Sequence, residues 1–123
     1  MCSESRKLSK AKERHKRRSP EAVIDFTMKD WRKVCDHFKG CIYCGGPIET
    51  KEHLEAVSEG GQFTKVNIFP ACLHCNQSKS GQQAYRWYKA QPFFSKKRWN
   101  KIIRWRRRMR KEMEKNEEVY NLQ

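Results

Sequence analysis

With 123 residues, 37% of them apolar and 34% charged, the chain is one domain's worth of sequence with only a small core available, so a staple such as a structural metal is expected. Twenty-eight Lys and Arg against fourteen Asp and Glu leave a formal charge of +14, which favours nucleic acid or an anionic membrane surface as partner. No apolar run approaches the roughly 20 residues that span a bilayer, and the first twenty residues lack the apolar stretch of a signal peptide. A cytoplasmic setting is therefore expected, where thiols stay reduced and paired Cys-x-x-Cys spacings mean metal more often than disulfide.

Residues 1–20 carry eight Lys and Arg against Glu4 and Glu13, with almost no apolar partners. They read as a disordered basic arm able to follow a phosphate backbone. Thr27 to Phe38 reads as a helix: Thr27 and Asp30 have capping-box spacing, and Trp31, Val34, Cys35 and Phe38 share one face. Gly40 is its expected stop, and its aromatics are read as core. Gly45-Gly46-Pro47 is a turn. Glu52 to Val57 reads as a strand, Gly60-Gly61 as a turn, and Phe63 to Phe69 as a second extended piece ended by Pro70. Cys72 to Lys79 suits a short helix, and Gln82 to Lys89 another turn or two before Pro92. These elements make residues 21–91 the core.

Residues 92–123 read as one basic helix capped by Ser95 and unbroken to about Asn116. Trp99, Ile102, Ile103, Met109 and Met113 give a ragged apolar stripe, too interrupted for a good membrane-surface helix. Its cations, Lys101, Arg104, Arg107 and Arg108 among them, are expected on a DNA backbone.

The chemistry lies between Cys41 and Lys79. Cys41-Ile42-Tyr43-Cys44 and Cys72-Leu73-His74-Cys75 have the spacing of a closed tetrahedral zinc site. Zinc held by Cys41, Cys44, Cys72 and Cys75 leaves no open position for chemistry and contributes to folding. Cys2 and Cys35 are left as unligated thiols. Within the loop closed by the cysteines, His53 has the pKa range of a general base and Glu52 offers a hard oxygen to a divalent cation. Adjacent side chains on a strand point to opposite faces, so both serve one site only if the strand twists or ends there. Asn76, opening the last helix, supplies a second oxygen, and Asn67 either holds His53 or fixes the loop between the arms. Taken singly, such a histidine is more often a surface residue and such an asparagine a helix cap.

Taken in order, Cys-x-x-Cys-Gly, acid-His, Gly-Gly, Asn and Cys-x-x-Cys-Asn-x-x-Lys resemble the zinc-stapled branch of the HNH endonucleases. The resemblance implies an α+β fold: a small, treble-clef-like ββα-metal core stapled by zinc, with flanking helices. It implies His53 as general base, Asn67 as the orienting residue, and Glu52 with Asn76 as ligands of one catalytic Mg²⁺ or Mn²⁺, with Ni²⁺ as a further option. Glu52 stands where the family usually has Asp. Lys79 lies beside the motif as a candidate phosphate contact. A metal-dependent DNA endonuclease is thus implied, nicking through one site per chain as a monomer or weak dimer and leaving a 5′ phosphate and a 3′ hydroxyl. The small size and basic flanks further resemble stand-alone HNH proteins of tailed bacteriophages, some of which act with terminase subunits in DNA packaging; that likeness implies the cytoplasm of a bacterial host. The alternatives are a non-catalytic zinc-dependent nucleic-acid-binding module, which leaves the acid-His pair and the two asparagines unexplained, and a zinc module whose basic helix meets an acidic protein.

Overall fold

The computed structural model describes residues 2–121, with side-chain environments for residues 4–116. In chain order the elements are α1 (Cys2–Arg18), β1 (Ile24–Asp25), α2 (Met28–Phe38), β2 (Thr50–His53), β3 (Phe63–Thr64), β4 (Ile68–Ala71), α3 (Leu73–Lys79), α4 (Ala84–Lys89) and α5 (Lys96–Asn121). This is the expected α+β class. No helix among the described residues is long and apolar enough to cross a membrane.

The centre is an antiparallel pair, β2 on β4, with Thr50 opposite Ala71 and His53 opposite Ile68. Every β4 residue is buried, because α2 packs on β4 while α3 packs on β2. Pro70 lies inside β4 instead of ending it. Its carbonyl accepts from Ile42 N at 3.0 Å, so its missing N–H faces away from the β2 ladder, where an edge strand tolerates proline. A second, parallel pair joins β1 to β3 through Ile24 and Phe63. The first arm is shorter than expected. It ends at His53, Leu54 N turns to Asn67 O at 3.0 Å, and Val57–Glu59 forms a 3-10 turn closed by Gly60.

α2 begins as its sequence predicts. Thr27 Oγ1 accepts from Asp30 N at 3.1 Å and Asp30 Oδ2 from Thr27 N at 2.9 Å. It stops at Lys39, whose φ of 60° is left-handed, one residue before the expected Gly40. α5 begins where Ser95 Oγ accepts from Arg98 N at 3.2 Å and continues past Asn116. Its stripe is less ragged than it reads, because Trp105 fills the gap: Ile102, Trp105 and Met109 are all buried. Trp105 meets Phe38 edge-on, with ring centres 5.8 Å apart. Burying three such side chains contributes about 1.5–3 kcal/mol each, so α5 is a core helix.

The N-terminal segment differs most from its reading as a disordered arm. It forms α1, docked through Leu8 and His15, 4% and 2% exposed, with Ala11 half-buried between them. These positions at i, i+3 and i+7 share one face, but the face holds a single large aliphatic residue, too little to register against eight cations.

Candidate active site

The four cysteines converge. Cys41, Cys44, Cys72 and Cys75 place their sulfurs within 4.8 Å of one another, and Cys44 Sγ lies 3.7 Å from Cys72 Sγ. That is far beyond a disulfide bond and close to the ~3.8 Å tetrahedron edge implied by ~2.3 Å zinc–sulfur bonds. Gly46 N and Cys75 N each donate to a thiol sulfur at 3.4 Å, as thiolates favour. Burial pushes the Cys41 and Cys75 thiols up, a cost that a metal taking thiolates offsets. Gly45 turns the first knuckle at φ 79°, where a Cβ would strike the Arg98 guanidinium. Cys35 stands apart, and burial pushes its thiol up to about 12.

At the other end of the β2–β4 pair, Glu52, His53 and Asn76 line one cleft of about 300 Å³, with Arg18 on its wall. Neighbouring strand residues share the cleft because β2 ends at His53. Asn76 comes from the first turns of α3, whose start is fixed by the Cys72–Cys75 knuckle, and its amide lies 3.4 Å from Glu52 Oε1. Glu52 Oε2 is buried without a hydrogen bond. Lys79 Nζ stands 3.8 Å from that oxygen. Burial pushes the Glu52 carboxyl up to about 7, against the pull of Lys79, and pushes the Lys79 ammonium down. Glu52 Oε1 beside an amide that can turn its own oxygen inward offers two hard donors to a divalent cation, while Oε2 faces Lys79. His53 is pushed down to about 4 by burial, then by His15, Lys79 and Arg18. Its imidazole is therefore neutral near pH 7 and keeps a lone pair.

Asn67 braces the loop between the arms. Its side chain accepts from Glu55 N at 2.7 Å and donates to Glu55 O at 3.0 Å and Gln62 O at 2.7 Å. No hydrogen bond joins it to His53 among the described residues. Gly61, in the same loop, cannot be another residue, since a Cβ would fall 1.8 Å from Glu55 O.

α1 covers this end. His15 Nδ1 lies 3.0 Å from His53 Nε2, and His15 Nε2 lies 3.0 Å from Gly61 O. A second cleft of about 450 Å³ runs between α1 and β2, lined by Lys7, Lys10, Arg14, Arg18 and Lys51 and again by His53 and Asn76.

Residues 41–82 match the family model described as HNH endonuclease. The chain is also 32% identical over 107 residues to the "SPbeta prophage-derived putative HNH endonuclease YoqL" of Bacillus subtilis (strain 168), a match covering 76% of this chain and 46% of that protein. Residues 41–82 of this chain carry the HNH endonuclease pattern. The chain spans about half the length of that relative. No solved structure matches the chain.

The structure separates the sequence-derived candidates. Glu52, His53 and Asn76 come together; Asn67 acts on their loop. Lys79, read as a phosphate contact, is instead fully buried. It donates to His53 O at 3.0 Å, so it holds the strand end and countercharges Glu52, out of reach of a nucleic acid. Lys101, read as a DNA contact, donates to His37 O at 3.1 Å and sits over the Phe38 ring, tying α5 to the C-terminus of α2. Arg108 lies over Trp105 with its guanidinium 4.9 Å from the ring centre, while Arg104 and Arg107 are exposed. Among the described residues of α5, none lines either cleft. The residues missed were His15 and Arg18. Their only local signal was the Leu8-Ala11-His15 spacing, which makes α1 a docked helix.

Proposed function

We propose that this protein is a metal-dependent DNA endonuclease, with His53 as general base and Glu52 and Asn76 as ligands of one divalent ion, Mg²⁺ or Mn²⁺ with Ni²⁺ as a further option. The observation that carries this reading is the convergence of Glu52, neutral His53 and Asn76 on one cleft walled by basic α1. Structural zinc at the four cysteines orients α3 and with it Asn76.

A divalent ion held by Glu52 and Asn76 would polarise the scissile phosphate and stabilise the leaving 3′ oxygen. His53 removes a proton from the attacking water; Nδ1 is its ring nitrogen without a protein hydrogen bond among the described residues. Lys79 keeps the backbone of His53 in place and balances Glu52 before an ion binds. Asn67 holds the loop that carries the Gly61 carbonyl. Lys7, Lys10, Arg14, Arg18 and Lys51 line the approach to His53 and neutralise phosphates without reading bases. One site per chain yields nicks, with a 5′ phosphate and a 3′ hydroxyl. The prophage origin in the relative's name supports a phage protein working in the bacterial cytoplasm, with terminase subunits as candidate partners.

The test is nicking of supercoiled plasmid by protein stripped of loosely held divalent ions but retaining zinc, with Mg²⁺, Mn²⁺ or Ni²⁺ restored and His53→Ala in parallel. Metal-dependent open circles from the wild type alone are expected. A folded, plasmid-binding protein that cuts with none of the ions overturns the reading in favour of a binding module.

A further inference from the structure

We infer that His15 of α1 is a positioning residue for the proposed base, fixing which nitrogen of His53 carries the proton. The inference rests on the role given to His53 above, but its geometry stands alone. Gly61 O can only accept, so His15 Nε2, 3.0 Å away, must donate to it. In a neutral His15 the proton is then on Nε2, and Nδ1 is left as an acceptor. His53 Nε2, 3.0 Å from that Nδ1, must in turn be the N–H partner. The lone pair of His53 is thereby placed on Nδ1, the atom that has to take the proton from water. One backbone carbonyl thus sets two tautomers in series.

The surroundings are built for this relay. His15 is 2% exposed, so water does not compete for its nitrogens. The Phe63 ring stands edge-on to both imidazoles, with centres 5.5 Å from His15 and 5.4 Å from His53. The Gly61 carbonyl reaches His15 because the loop comes closer to Glu55 than any side chain would allow. α1 is on this view part of the active site and not a tail beside it.

The test uses the full zinc-loaded chain with ¹⁵N-labelled histidine, without catalytic ion or DNA, as wild type, His15→Gln and His15→Phe. Gln retains an acceptor and a donor on one side chain; Phe retains the ring shape and neither. In the wild type and in His15→Gln, His53 should show a protonated Nε2 and a bare Nδ1. In His15→Phe its two nitrogens should shift toward the average of mixed tautomers. Single-turnover nicking should fall about 10–100-fold in His15→Phe, the usual cost of losing a residue that orients a ligand or base, with plasmid affinity unchanged, and recover in His15→Gln. Leu8→Ala, which loosens α1 without removing either imidazole, separates a loss of the helix from a loss of the hydrogen bond: nicking should fall less than in His15→Phe. Unchanged His53 signals in His15→Phe overturn the inference, and so does faster nicking, which would make α1 a plug. A wild type that never nicks defeats the nuclease reading, while the nitrogen signals still decide the tautomer.

Discussion

α1 and α5 are both long and strongly basic, yet their cations do different work. Among its described side chains α1 buries only Leu8 and His15 fully, and it turns Lys7, Lys10, Arg14 and Arg18 toward the clefts at His53. α5 buries Ile102, Trp105 and Met109 and commits Lys101 to the end of α2. It also spends Arg106 on Val66 O at 3.1 Å and Glu55 at 2.8 Å. The helix with the richer apolar stripe is the structural one, and the one that looks like a tail reaches the candidate site. Charge counts rank neither, because a cation's role follows from where the buried face of its helix docks.

Both helices need the stapled core, so the largest effect belongs to the staple. Cys72→Ser should lose the tightly held metal and cooperative melting; a soluble, fully active variant ends the structural-metal claim. Next, Trp105→Ala should cost about 3–5 kcal/mol, read in a denaturant titration. A midpoint equal to the wild type's would mean α5 is not part of the core. The sharpest contrast comes from charge reversal. Lys10→Glu with Arg14→Glu should lower plasmid nicking at least tenfold and flatten its salt dependence, whereas Arg104→Glu with Arg107→Glu should change it less than about threefold, since an exposed face away from the clefts adds only long-range, salt-screened attraction. Equal losses erase the distinction between the helices.

The smallest effect is at Glu112, which joins α5 to Lys33 and Lys65 at 3.3 Å each. Slight burial pushes its carboxyl up, but hydrogen bonds from both lysines outweigh this and hold it below the usual 4.5. The unfolded chain therefore binds the proton more readily. The contribution is present above pH ~4.5 and lost as pH falls through the folded value. For a pair this exposed it is a few tenths of a kcal/mol. Glu112→Gln should melt slightly below the wild type at pH 7 and together with it near pH 3.

The cysteine site was legible because each knuckle is a four-residue pattern whose spacing is its geometry. α2 was legible because its capping box and apolar face are local. Glu52, His53 and Asn76 were found through the order of the motif, and their shared cleft needed β2 to end at His53, which alternation alone does not show. His15 was invisible: its partner is 38 residues away, and a histidine among cations reads as one more solvated group. Lys79 was misread for the opposite reason. A lysine after the last motif asparagine in a basic chain suggests phosphate, and only packing shows that it faces a buried carboxylate.

The most direct test of the account is a Mn²⁺ titration of single-turnover plasmid nicking by wild type, Glu52→Gln and His53→Ala. If Glu52 holds the ion and His53 is the base, the wild type saturates, Glu52→Gln needs far more Mn²⁺ and reaches a lower rate, and His53→Ala stays about 10²–10⁴-fold slow at every concentration. Wild-type nicking by His53→Ala at saturating Mn²⁺ would contradict the account.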